Sequence, residues 1–168
     1  MKTLIMIALF LCLGVTEAAE HAPGNTEQNK PTSAPLVPYD SKQAYESFSK
    51  TVHGGIMHIV AKSADNASQV KLIQHYLQQT ATEFNNGDFS STERFHGPDM
   101  PGLAQMKSAK SGDIRYVYKA LPNGGQIHIS TEYSQLLTAL HHWFDAQIKE
   151  HGNAPIPEHG QHHASPAE

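Results

Sequence analysis

The stretch IHISTEYSQLLTALHHWFDAQI at residues 127–148 decides the fold, because a second stretch of the chain matches it. When Ser130 is aligned with Ser63, this stretch pairs with VAKSADNASQVKLIQHYLQQTA at residues 60–81. Ile56 to Ala61 is an apolar run of strand length, and Ile127 to Ile129 is likewise strand-like. Each run leads through a short link, Ser63-Ala64-Asp65 or Ser130-Thr131-Glu132, into a segment whose apolar residues recur every three or four positions, which predicts an amphipathic helix. The aligned apolar pairs are Val70 and Leu137, Ile73 and Leu140, Leu77 and Phe144, and Ala81 and Ile148. The sequence therefore predicts an internal strand–helix repeat.

Turn-forming residues bound these elements. Asn85-Asn86-Gly87 and Gly152-Asn153 follow the two helical segments, and Gly and Asn commonly end helices. Residues 114–119 carry closely spaced β-forming side chains, and Asn123-Gly124 supplies a tight turn before a return strand at residues 126–130. We therefore expect an α+β fold, in which a small antiparallel sheet carries two repeat-related helices packed on one face.

The two ends of the chain differ in composition from this central part. A basic residue, an apolar run and small residues predict a secretory signal peptide over residues 1–18, with an apolar run too short to span a membrane. Residues 19–40 are rich in proline and predict a flexible linker, and residues 153–168 predict a disordered tail that contains His and Pro. A single domain over residues 41–152 remains between them.

The first element of this domain is predicted to be a short helix. Tyr45, Phe48 and Val52 have the spacing of one helical face, and Asp40 or Ser41 supplies a capping side chain before them. This helix would precede the first strand of the repeat.

Composition excludes several classes of protein. Twelve Lys and Arg against 16 Asp and Glu give a net charge of −4, which does not indicate a nucleic-acid binder. The one cysteine, Cys12, lies in the predicted signal peptide, so the exported chain would have no disulfide, thiolate nucleophile or cysteine metal ligand. We expect a periplasmic or secreted protein. No G-x-S-x-G or H-E-x-x-H motif is present, so enzymatic activity is left open, with the balance against it.

Histidine is the unusual residue type, since the chain has 12 histidines, as many as Lys and Arg together. Histidine titrates near neutral pH and is a common metal ligand, so this composition indicates metal binding or pH sensitivity. Signal cleavage after Ala18 would leave Ala19-Glu20-His21 as the new N-terminus. An amine, two amides and the His21 imidazole can bind Cu(II) or Ni(II) in a plane.

His96 and Met100 form a second candidate site. Gly97 and Pro98 lie between them, and a turn there would bring an imidazole and a thioether together, a pair that suits copper and Cu(I) in particular. The alternative is a rigid connector in which Met100 and Leu103 fill the core.

Two further pairs of candidate metal ligands lie in the predicted strands and helices. His53 and His58 could share a metal ion if Gly54-Gly55 forms a turn. His141 and Asp145 are four residues apart on one helical face, which suits a metal site or a hydrogen bond that orients the histidine.

Three motifs resemble those of a family of small exported bacterial proteins of unknown function. They are Gly87-Asp88-Phe89-Ser90, then His96-Gly97-x-x-Met100-Pro101-Gly102-Leu103, and Ala139-Leu140-His141-His142-Trp143-Phe144-Asp145-Ala146-Gln147. The resemblance covers about residues 52–152. It implies one exported domain and brings no set of catalytic residues.

The resulting functional hypothesis is an exported protein that binds a transition metal ion, or haem, through His and Met. Copper is the first choice, with nickel and zinc as alternatives. A cofactor-free envelope interaction protein and a small periplasmic hydrolase remain open. We expect no nucleic-acid partner and no integral membrane segment after signal cleavage, and the sequence names no protein partner.

Overall fold

The computed structural model describes residues 37–156. The predicted signal peptide, His21, and most of the predicted linker and tail lie outside the described residues. The described elements are a short 3-10 turn at Ser41–Gln43, β1 (Ala44–Thr51), β2 (Gly54–Ala61), α1 (Ala67–Asn85), α2 (Ser90–His96), α3 (Leu103–Ser108), β3 (Ile114–Leu121), β4 (Gly124–Thr131) and α4 (Ser134–His151).

The sheet consists of two hairpins joined edge to edge. Its strand order is β1-β2-β4-β3, and every neighbouring pair is antiparallel. Thr51 pairs with Gly54 in the first hairpin and Leu121 with Gly124 in the second, so each turn has two residues. The central pair, β2 and β4, joins the hairpins, with Met57 opposite Ile127. The predicted α+β class and antiparallel sheet are confirmed.

Both long helices lie on one face of this sheet, and each crosses to the hairpin of the other repeat unit. α1 packs mainly on β3 and β4, whereas α4 packs mainly on β1 and β2. A Cβ atom at Gly55 would lie 2.4 Å from the Phe144 ring, and one at Gly125 would lie 3.1 Å from Leu77. The register places these two glycines on the same face. The two missing side chains therefore let the helices approach the centre of the sheet.

The structure extends the repeat to the hairpins. Gly54 and Gly55 match Gly124 and Gly125, an offset of 70 residues instead of the 67 that relates the helices. A Cβ atom at Gly54 would lie 2.1 Å from the carbonyl oxygen of Ile129, and one at Gly124 would lie 2.2 Å from that of Ile59. The same close approach of backbones thus occurs at both ends of the β2–β4 pair. Each repeat unit is therefore a hairpin followed by a helix. The stretch at residues 60–81, which shows the repeat in the sequence, includes only the end of the first hairpin.

Asparagines at the helix ends form hydrogen bonds with backbone groups of the two edge strands, β1 and β3. Asn85, at the end of α1, donates to the carbonyl oxygen of Tyr116 at 2.7 Å and accepts from its N–H at 3.3 Å. Just after α4, Asn153 accepts from the Phe48 N–H at 2.9 Å, and the next N–H donates to the Glu46 carbonyl oxygen at 2.9 Å. These bonds occupy edge groups that otherwise invite pairing with another chain.

The predicted first helix is wrong, because residues 44–51 form strand β1. Asp40 does cap a turn, but only the single 3-10 turn at Ser41–Gln43. Phe48 is 1 % exposed and points to the core, whereas Val52, the third residue of the supposed helical face, is 81 % exposed in the hairpin turn. Pairing with β2 overrides the helical spacing of three apolar side chains.

Residues on both sides of the predicted domain range belong to the packed structure. Tyr39 and Ile156 are both buried, although they lie outside residues 41–152. Within residues 37–156, no helix combines enough length with enough apolar character to cross a membrane.

The connector between the repeat units contains α2 and α3 and packs by its apolar residues. Met100 and Leu103 are buried in the core, as the rigid-connector interpretation predicts. Gly102 between them has a φ of +79°, and a Cβ atom there would lie 2.0 Å from the carbonyl oxygen of Ala139 on α4. Gly102 therefore sets the close contact of the connector with α4.

Gly102→Ala should destabilise the protein more than Gly87→Ala. Both glycines have similar positive φ values, but nothing lies within 4 Å of a Cβ atom at Gly87. We expect the φ penalty of Gly87→Ala to be about 1 kcal/mol, and the backbone clash of Gly102→Ala to add roughly 2 kcal/mol. Urea unfolding monitored by circular dichroism checks this, and equal losses in the two variants would contradict the proposed contact.

Candidate metal centre

Three side chains of types that can bind a metal ion converge where two helices end. His96 is the last residue of α2, and Glu150 and His151 are the last two residues of α4. One ligand atom from each of the three lies within 4.8 Å of the others, and among residues 37–156 no other set of three His, Asp or Glu does so. The His96 Nδ1 contacts a carboxylate oxygen of Glu150, and the two imidazole centroids are 5.2 Å apart. We call these three residues the metal group.

Glycines fix the two helix ends on which the group lies. Gly97 and Gly152 follow the helices with φ values of +84° and +77°, and their N–H groups donate to Glu93 and Ile148 carbonyl oxygens. The C-terminus of a helix carries a partial negative charge, which favours a cation nearby. The backbone therefore contributes to the attraction of a positive ion at this point.

A second layer of polar groups contacts the histidine of α4. A Glu46 carboxylate oxygen on β1 lies 3.4 Å from His151 Nδ1, and its other oxygen accepts from the Tyr39 hydroxyl at 2.8 Å. Burial and the Glu46 charge raise the pKa of Tyr39, which keeps its hydroxyl as a donor. A carboxylate behind a histidine fixes the tautomer and orientation of the ring in many metal sites.

The charge state of His151 suits metal binding. Burial lowers the pKa of His151, while the neighbouring Glu46 carboxylate opposes that shift and His96 adds to it. A lower pKa favours the neutral ring at neutral pH, and neutral imidazole is the form that binds metal ions.

The metal group borders a cavity of about 800 Å³. His96 and His151 line this cavity, together with side chains from β1, β2, α1, α2 and α4 and from the segment before β1. Their own side chains are 7 % and 27 % exposed, and that of Glu150 is 48 % exposed. An ion held by the group would therefore be reachable from both the cavity and the solvent.

Comparison of the two repeat units shows that the fold does not require polar residues here. The helix alignment pairs His151 with Phe84, and the hairpin alignment pairs Glu46 with Tyr116. Phe84 and Tyr116 form an edge-to-face aromatic pair, with ring centroids 5.2 Å apart, in the buried core. One half of the molecule thus fills this position with two packed aromatic rings, whereas the other half holds an imidazole and a carboxylate.

Three of the ligands predicted from the sequence lie apart from the metal group. Met100 is in the hydrophobic core, and His53 lies exposed in the turn between β1 and β2. His58 is 3 % exposed on β2. Only His96 of the predicted ligands contributes to the group. His21 lies outside the described residues.

His141 and Asp145 each have a separate partner. His141 Nε2 lies 3.0 Å from the Thr51 carbonyl oxygen, and Asp145 forms an ion pair with Lys50. Gln74, which the repeat aligns with His141, makes the matching contact to the Leu121 carbonyl oxygen at 2.9 Å. His141 therefore attaches its helix to the end of β1, as Gln74 attaches α1 to the end of β3.

Glu46, Glu150 and His151 are not among the ligands predicted from the sequence. Glu150 and His151 are 54 and 55 residues from His96 in the chain, so spacing gives no sign of their contact. The repeat carries a usable signal, because a histidine aligned with the apolar Phe84 marks a position where the two units differ in chemistry.

No protein-family model, curated protein or solved structure matches this chain. The resemblance to small exported bacterial proteins stays a prediction.

His141→Gln should keep the stability of the protein, whereas His141→Ala should lower it by about 1 kcal/mol through loss of the hydrogen bond to Thr51. Glutamine makes the matching bond in the first repeat unit, so it can replace the imidazole. Urea unfolding of both variants checks this. Equal destabilisation by both substitutions would show that His141 acts through something other than this bond.

Proposed function

We propose that this protein binds a divalent transition metal ion through His96, Glu150 and His151. The convergence of two imidazoles and one carboxylate within 4.8 Å carries the proposal. Three protein ligands of this kind leave one coordination position of a tetrahedral ion open.

The donor atoms favour Zn(II) or Cu(II). Imidazole nitrogen and carboxylate oxygen suit both ions, and Cu(II) normally binds such a set more tightly than Zn(II) does. The burial of Met100 in the core argues against a thioether ligand and thus against Cu(I) at this position. Copper therefore remains the first choice in its oxidised form, with zinc and nickel as alternatives.

We further propose that the protein acts in the periplasm or outside the cell. This proposal is supported by the N-terminal sequence alone, whose basic residue, apolar run and small residues are typical of a signal peptide.

Removal of both imidazoles of the metal group should abolish tight metal binding. In a full-length background with His21, His159, His162 and His163 changed to Ala, His96→Ala with His151→Ala should eliminate the high-affinity Zn(II) and Cu(II) titration seen by calorimetry. The matched control is His75→Ala with His142→Ala, which removes two exposed histidines of α1 and α4 from outside the group.

A variant that fails to fold is distinguished by a second substitution. His151→Phe places at this position the residue type that the other repeat unit has there, so it should retain the helical circular dichroism while losing tight binding. Undiminished affinity in folded His151→Phe or in the double variant would overturn the proposed function.

Glu46→Gln should weaken Zn(II) binding by about tenfold, since a carboxylate behind a ligating histidine contributes roughly 10- to 100-fold to metal affinity. Gln keeps the size of the side chain and an acceptor for the Tyr39 hydroxyl but removes the charge next to His151. Competition with a chelating dye measures the affinity. Glu83→Gln, which changes a carboxylate on the same cavity wall, is the control and should leave affinity unchanged.

A further inference from the structure

We propose that the cavity beside the metal group binds a small molecule with an apolar, ring-containing body and a carboxylate that completes the coordination of the metal ion. This inference rests on the proposed metal site. It adds the chemical class of the ligand that the site takes.

The metal group and the cavity are continuous. His96 and His151 belong to both, so a molecule in the cavity lies beside any ion that these residues hold. An ion with three protein ligands accepts a fourth donor from solvent or from a bound molecule. A carboxylate is such a donor, and its charge offsets that of the ion.

The walls of the cavity suit an apolar ring. Its volume of about 800 Å³ is in the range of small-molecule sites. Rings in contact gain from offset or edge-to-face packing in addition to burial. The aromatic wall residues are Tyr39, Phe48, Tyr76, Phe84, Phe95 and Trp143.

The wall carries three carboxylates, Asp40, Glu46 and Glu83, and one guanidinium, Arg94. Asp40 accepts from the Lys42 N–H, Glu46 accepts from Tyr39 and lies next to His151, and Glu83 accepts from Gln79 and Ser91. Within residues 37–156, by contrast, Arg94 takes part in no salt bridge. The carboxylates of the wall are already engaged, whereas this guanidinium is available to a negative group.

Three probes with the same phenylpropyl body test the charge of the ligand. They are 3-phenylpropanoate, 3-phenylpropanamide and 3-phenylpropan-1-amine, titrated into the full-length protein with Zn(II) bound and after treatment with a chelator. The emission of Trp143, the single tryptophan of the chain, reports binding when it is excited where phenyl rings do not absorb. Calorimetry on the same samples measures the affinity.

We expect the carboxylate to bind the zinc-loaded protein about tenfold more tightly than the chelator-treated protein, since a bond to a charged group contributes that much. The amide and the amine should show no such dependence on zinc. Tighter binding of the amine, equal binding of the carboxylate with and without zinc, or no saturable binding of any probe would each overturn the proposal.

A matched pair of substitutions places the ligand in the cavity. Ser91→Phe, on the wall, should abolish binding of the carboxylate, whereas Ser90→Phe, exposed on the same helix and away from the wall, should not. A carboxylate that binds equally well to both variants would contradict the assignment to this cavity. The Zn(II) titration is run on each preparation, so bound zinc without probe binding refutes only the ligand, and absent zinc binding refutes the metal site itself.

Discussion

The antiparallel pairing of β2 with β4 is the contact on which the rest of the structure depends. It joins two hairpins whose other strands lie at the sheet edges, and glycines at both of its ends allow the two backbones to approach closely. Glycines next to these leave space over the sheet for Phe144 and Leu77. Each helix can then cross to the opposite hairpin and cover the centre of the sheet. A side chain at any of these four glycine positions would push apart two elements from different repeat units.

This arrangement gives two halves that are alike in backbone contacts and differ at one place in chemistry. Gln74 and His141 make matching bonds to the last residues of β3 and β1, and asparagines at the ends of both helices bond to the opposite edge strand. The halves differ where Phe84 and Tyr116 stand in one and His151 and Glu46 stand in the other. The insertion of α2 between the repeat units brings His96 to the polar half. Glu46 and His151 are only partly buried. Because two aromatic rings fill the same position in the other half, the fold itself does not require an imidazole and a carboxylate here, which favours a functional explanation.

The two long helices, the second hairpin turn and the helix ends could be predicted from the sequence, because each depends on residues that are close together in the chain. The stripes of α1 and α4, the Asn-Gly turn and the glycines after the helices each indicate their element without reference to the rest of the chain. Strand β1 could not be predicted in this way, since Tyr45, Phe48 and Val52 have helical spacing and only pairing with β2 shows that they belong to an edge strand and its turn. The metal group was predicted only at His96. Its partners come from the far end of the domain, and the nearby Met100, which attracted attention by its spacing, is buried in the core.

The proposed metal site requires one ion between His96, Glu150 and His151. Its position can be located in crystals of the zinc-loaded protein, measured on both sides of the zinc absorption edge. We expect one strong anomalous peak at this point, at about 2 Å from an imidazole nitrogen of each histidine. A strong peak at other histidines alone, or no peak in crystals that contain stoichiometric zinc, would contradict it.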